Sequence, residues 1–455
     1  MFIRQVCLSS AMRLMFALMA ASSWMLSQTD PGPRGGVPGA GGAISGLTVK
    51  ELKFFDAGLD EFAEVGSVTG SVPGTEPGLG PRFNLDSCAG CHKHPAVGGS
   101  SPSVNPQVNQ ALSSASQVTY VTVTVPILSA NGPVREVRFA TDGGVHDLFV
   151  VTGRSDAPTG CAISQPDFLA AAGGAFPGIL RFRIPTPIFG LGLIEAIEDA
   201  TILANVYPGK PFGILGSPNR NGNDGTVTRF GWKAQNKSLV IFAGEAYNVE
   251  QGITNELFPD ERGESGTPDP VACRGGVVAP QDSVHYDQTQ PQTVVDNTGT
   301  FANFMRFLAP PTPATSYGSV TAAQIAAGEL AFNKAGCNVC HIKSMTTGNH
   351  LNAALRSKTA NLFSDLLVHD VGTGDGIAQG LATGSQFRTA PLWGVGQRLF
   401  FMHDGRKANI VDAINEHAGE AIQVIDNFKG VSGANPASNL TATERQNLVY
   451  FLRSL

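Results

Sequence analysis

Charge is scarce in this chain: of 455 residues only 31 are Lys or Arg and 37 are Asp or Glu, a charged fraction of 15% and a formal net charge of -6. No basic stripe is left to neutralise a phosphate backbone, which excludes nucleic acid as a partner. Long apolar runs are missing as well. The one stretch that approaches a membrane span, Leu14 to Ala21 continued by Trp24, Met25 and Leu26, is broken by Ser22 and Ser23 and falls short of the ~20 residues a span requires. Preceded by Arg4 and Arg13, it reads as a signal peptide over residues 1–28. The mature chain is therefore expected to be exported, periplasmic or equivalent, with no integral span.

Cysteine is limited to seven residues, and their placement is informative. Cys7 falls in the leader. Four of the others form two Cys-x-x-Cys-His motifs, Cys88-Ala-Gly-Cys91-His92 and Cys337-Asn-Val-Cys340-His341. Cys161 and Cys273 remain, either a disulfide in an oxidising compartment or two buried thiols. Gly (54) and Pro (29) are abundant but follow no period, as in a loop-rich globular chain. Pro31 to Gly46 concentrates them, so residues 29–46 read as a flexible spacer.

At this length more than one hydrophobic core is expected, and a repeated pattern divides the chain. Thr321-Ala-Ala-Gln324 is a capping box that opens a helix through Gly328 and Phe332 into the second motif. A second box, Thr441-Ala-Thr-Glu444, opens a closing helix with Leu448, Phe451, Leu452 and Leu455 on one side. In the first half Thr48-Val-Lys-Glu51 caps a helix bearing Phe54, Phe55, Leu59 and Phe62 before the first motif. Its closing helix is Phe301 to Leu308, stopped by Pro310-Pro311. Between them, Val118, Tyr120 and Val121 to Val125, a turn at Asn131-Gly132, and Val134 to Phe139 alternate as strands do. The expected fold is mainly α: two class I cytochrome c-like domains, residues 47–309 with a β-containing insertion and residues 320–455, joined by a linker at 310–319.

Cys-x-x-Cys-His lets two thiols three positions apart add to the vinyl groups of one haem while the adjacent imidazole reaches the iron. Zinc would need further ligand pairs nearby, and a redox dithiol would need a βαβ context that is absent. Two covalently bound c-type haems are expected, with His92 and His341 as proximal iron ligands. His94 lies too close to His92 to reach the opposite face of that haem. His146 and His285 are distant candidates, each equally an ordinary loop histidine.

Further segments carry a family resemblance over nearly the whole mature chain. They are Gly78 to Asn84, Gly98 to Pro102, Phe189 to Glu195, Phe230 to Lys233, Gly252 to Asn255, and the tail from Phe387 to Trp393 and from Phe400 to Gly405 with Ala413 to Glu420. The chain resembles the di-haem oxidoreductase family of peroxidase-like and thiol oxidoreductase-like proteins, related to bacterial dihaem cytochrome c peroxidases. In those peroxidases an iron-ligating Met follows the His of the His-Asp-Gly segment by fourteen residues. Here that count from His403 lands on His417, so the resemblance implies a His341/His417 haem, with Met402 as the rival ligand. His403 either contacts a propionate and orders the space between haems or is a turn histidine. His369 in Val368-His-Asp is equally a structural or a haem-edge residue.

Glu195, alone in the apolar run Phe189 to Ile197, is the candidate distal acid/base, or else a structural partner of Arg181 or Arg183. Trp232 and Trp393 are candidate electron relays or large core residues, and Trp393 is preferred because its segment resembles the interhaem region. The expected activity is haem-dependent oxidoreduction: electrons from a small cytochrome or cupredoxin enter at the C-terminal haem and reduce a small oxidant such as hydrogen peroxide at the N-terminal one. Oxidation of a partner protein and a non-catalytic electron-transfer cytochrome are the alternatives, with thiol oxidoreduction last for want of a suitable cysteine pair. The resemblance also allows an interdomain calcium ion.

Overall fold

The computed structural model of the chain describes residues 28–113, 127–263, 268–283, 296–431 and 436–455. Residues 1–27 of the expected signal peptide (1–28), the first expected strand at 118–125 and His285 lie outside this set. Two helix pairs frame the molecule. α1 (Val49–Ala63) starts on the predicted capping box, Thr48 with Glu51, and buries Phe55, Gly58 and Phe62.

The second arm of the expected hairpin is present as β1 (Glu136–Phe139). It is the centre of a three-stranded antiparallel sheet, between β2 (Val145–His146) and β3 (Leu180–Arg183), with Val137 opposite both His146 and Phe182. After it come α2 (Leu239–Gln251), capped by Ser238, and α3 (Asn297–Phe307), capped by Asp296. The second half holds α4 (Ala322–Ala335), the β4–β5 ribbon (Val368–Asp370 with Gln386–Arg388), α5 (Ile410–Asn415) and α6 (Ala442–Ser454). Both predicted boxes, at Thr321 and Thr441, cap their helices.

α1 packs on α3 and α4 on α6, and each crossing is made at a glycine. A Cβ on Gly58 would lie 2.7 Å from the Cβ of Phe304, and one on Gly328 would lie 2.0 Å from the carbonyl oxygen of Asn447. Only glycine permits such backbone approach. The halves are not separate beads, because one apolar core runs from Phe55 and Phe304 through Leu193 and Phe230 to Leu362, Leu367 and Trp393. A second core, around Phe83, Phe149, Phe168 and Leu180, contains the Cys161–Cys273 disulfide.

Residues 29–46 are not a spacer. Asp30 makes a buried ion pair with Arg453 of α6 (2.6 Å) and accepts from the Ile410 amide. Further along, the Arg34 amide donates to the Gly396 carbonyl, Thr312 donates to Gly39, and Ala43 pairs with Leu308. Gly/Pro content predicts flexibility only where the backbone groups have no partners; here both halves supply them. The strap therefore ties the last helix to the first half.

Candidate functional site

Two cavities open on the two Cys-x-x-Cys-His motifs. In the first, Cys88–Cys91 form one helical turn, so both thiols and the His92 ring face the same space. His92 Nδ1 donates to the Gly99 carbonyl (3.1 Å), and in the second cavity His341 Nδ1 donates to the Phe363 carbonyl (2.9 Å). Each bond favours the tautomer with the proton on Nδ1, which makes Nε2 the nitrogen able to act as a ligand. Burial pushes both imidazoles down to about 4, so the neutral, ligating form prevails at neutral pH.

The surroundings of the two histidines differ. His417 lines the same cavity as His341, its Nδ1 donating to the Ala413 carbonyl (2.9 Å), which again leaves Nε2 free to ligate. The two rings are close enough for charge on His417 to disfavour protonation of His341. Met402 lines the same cavity from a left-handed backbone position (φ 65°). His403 stacks on Phe387 with ring centroids 4.2 Å apart. His369 is held between Asp365 (2.9 Å) and Glu420 (3.0 Å), with Nδ1 3.9 Å from Cys340 Sγ, which places it at the motif's edge.

Among the described residues of the first cavity, His92 is the only histidine. His146 is turned away, paired with Asp142 and stacked on Phe139, and His94 donates across the seam to the Gln397 carbonyl (2.8 Å). What faces this cavity is charge: Arg135, Glu136, Arg138, Glu245 and Glu250. Glu136 pairs with Arg138 (2.6 Å) and Glu245 with Asn236. The Glu250 backbone carbonyl accepts from the Asn84 amide (2.7 Å), but its carboxylate has neither hydrogen bond nor ion pair among the described residues. Burial, reinforced by the negative charges of Glu136 and Glu245, raises its carboxyl to about 8.

Two sequence expectations are corrected. Glu195 lines neither haem-motif cavity. Its carboxylate caps α2 by accepting from the Leu239 amide (2.9 Å) and pairs with Arg306 of α3 (2.7 Å), beside an open cleft elsewhere on the surface. Its isolation in an apolar run reflected a partner distant in sequence. Trp393 is a core residue, packed against Gly190. Trp232 is the tryptophan that lines both cavities, its Nε1 donating to the Ile184 carbonyl (2.8 Å) and its ring edge-on to His403 at 6.5 Å. Sequence reasoning missed Glu136, Glu245 and Glu250, which carry no local signal beyond being acidic.

Haem fits both sites. Each offers a thiol pair, a tautomer-fixed histidine and, in addition, buried guanidinium groups without carboxylate partners. Arg135 Nε in the first cavity and Arg388 Nη1 in the second have no hydrogen-bond acceptor among the described residues, as a wall that takes the propionates of a bound haem would. At the seam a cation is already built in. The fully buried Lys233 ammonium is held by the carbonyls of Thr383 (2.9 Å) and Gln386 (2.7 Å) and by Asp375 (3.3 Å), which also binds Arg183.

No described helix is long and apolar enough to cross a membrane. A search of the curated proteins finds no match. Among solved structures, similar chains include Kuenenia stuttgartiensis hydrazine synthase pressurised with xenon. It is 16% identical, with 68% of this chain and 98% of that one covered and a TM-score of 0.24. A MauG-like protein associated with microbial copper homeostasis is 17% identical, covering 60% and 90%, at 0.28. The diheme peroxidase BthA from Burkholderia thailandensis E264 is 14% identical, covering 60% and 86%, at 0.28. The family described as "Di-haem oxidoreductase, putative peroxidase" matches residues 177–455, a span that takes in Trp232, the second motif and His417. By that match the chain belongs to the di-haem oxidoreductase family, a haem-dependent oxidoreductase with two haem cofactors.

Proposed function

We propose that the chain is an exported c-type dihaem peroxidase, with one haem joined to Cys88 and Cys91 and ligated by His92, and the other joined to Cys337 and Cys340 and ligated by His341 and His417. The observation that carries this reading is the asymmetry of the cavities: a second histidine with a free Nε2 lines the cavity of His341, and among the described residues none lines that of His92. When bound, a haem supplies an iron that exchanges single electrons, and an open coordination position supplies the place for a small oxidant.

His417 closes the second cavity, which suits electron entry from a small donor protein such as a cytochrome or cupredoxin. Trp232 spans the distance to the first cavity. There, reduction of hydrogen peroxide to two waters consumes two electrons and two protons. Glu250, with its carboxyl near neutrality, holds a proton next to Glu136 and Glu245, and Arg138 limits the charge of the cluster. The Cys161–Cys273 disulfide supports an oxidising, periplasm-like compartment. An interdomain calcium ion remains compatible with the family resemblance, although Lys233 already supplies positive charge at the seam.

The test is spectroscopic. Ferric protein should show one low-spin and one high-spin haem, and hydrogen peroxide should change the spectrum of the half-reduced form. Two low-spin signals with no response to peroxide would leave only the electron-carrier reading.

A further inference from the structure

Arg388 lines the second cavity and braces a peptide, Gly231-Trp232, that lines the first. It sits at the end of the β4–β5 ribbon, 8% exposed, on the wall of the second cavity. Its backbone amide donates to the Trp232 carbonyl (2.9 Å) and its Nε donates to the Gly231 carbonyl (3.1 Å). Two bonds from one residue thus fix the peptide that carries the indole lining both cavities. The other side of the guanidinium, Nη1, is buried with no acceptor among the described residues. Arg398 lines the same cavity, close enough for its charge to act on Arg388, and it too has no carboxylate partner among the described residues.

A buried and a half-buried cation side by side, with no carboxylate among the described residues to neutralise them, repel one another and waste hydrogen-bonding capacity. A dianionic group between them removes both costs, and a planar guanidinium can hold a carboxylate on one edge while donating from the other. The geometry points to Arg388 as a positioning residue: together with Arg398 it binds the propionates of the haem at His341, and through Gly231 it ties that anchor to the placement of Trp232 between the cavities. Filling the second cavity then sets the electron path to the first. This rests on the dihaem reading above but not on peroxide chemistry, since a dihaem carrier would use the same path.

The test compares three variants as dihaem holoproteins, reading the midpoint potential of the His341 haem and the rate of electron transfer between haems after partial reduction. Removing a cation favours the ferric state, so Arg388→Gln and Arg398→Gln should both lower the potential. A lower donor potential increases the driving force and by itself would speed transfer. Arg388→Gln should nevertheless slow transfer by about tenfold, because the indole loses its brace, whereas Arg398→Gln should not slow it. Arg388→Lys keeps the charge and loses the fork, and should hold the potential while still slowing transfer. The inference is overturned if Arg388→Gln moves neither quantity, if both Gln variants slow transfer alike, or if Arg388→Lys transfers at the wild-type rate. Loss of peroxide turnover with these results intact would instead count against the peroxidase reading.

Discussion

The two cavities share one way of holding a haem and differ in what faces it. Each has Cys-x-x-Cys-His, an imidazole whose Nδ1 is bound to a backbone carbonyl, and burial that keeps the ring neutral. Beyond that the walls diverge: further histidines, His417 among them, and two arginines without carboxylate partners among the described residues in the second, a cluster of carboxylates in the first. Duplicating a motif therefore duplicates cofactor binding, while the chemistry is assigned by residues far from the motif.

The comparison can be broken where its effects are largest. Glu250→Gln should cut peroxide turnover by about a hundredfold, the lower range for a positioned acid or base. The sign of the pH response follows from its raised carboxyl. Glu250 is protonated below about 8 and ionised above, so wild-type turnover should fall as pH rises through that value, and the Gln variant should lack this limb. A pH profile unchanged by the substitution would shift the role to Glu136 or Glu245. His417→Ala should make the walls alike: the second haem becomes high-spin and turnover falls by about tenfold. A low-spin signal that survives in His417→Ala and vanishes in Met402→Ala would transfer the ligand role to Met402.

Trp232→Phe should slow transfer between haems by about tenfold, with Trp393→Phe leaving it unaltered and costing only packing stability. Equal effects on transfer would restore Trp393 to the path. The smallest functional effect belongs to Glu195→Gln. It should leave turnover intact and lower stability by about 1–3 kcal/mol, since Arg306 loses its partner and α2 part of its cap. Thermal melts beside peroxide assays would separate the two quantities.

Local patterns were read accurately because their physics is local. The capping boxes at Thr48, Thr321 and Thr441 need only four residues each, and both haem motifs need five. His417 was singled out by the family resemblance, through its distance from His403, and it lies on the wall of the second cavity. The errors concerned partners distant in the chain. Glu195 looked unpaired because Arg306 lies on another helix, and the acidic residues of the first cavity resemble surface charges until β1 and α2 are placed on one wall. Trp232 and Trp393 could not be ranked without knowing which peptide lies between the cavities. Of the expected hairpin, only the arm that became β1 lies among the described residues.

The strap at residues 29–46 imposes an order on assembly. Asp30 is among the first described residues to be synthesised, and its partner Arg453 lies in the final turn of the last helix. The Asp30 end of this Gly- and Pro-rich stretch must therefore wait for its partner through almost the whole of synthesis, well after the other end can meet Leu308 and Thr312, and its docking is a late event. A contact of such sequence separation makes closure slow. It also gives both motifs time to remain accessible to whatever installs their haems before the molecule is clasped shut.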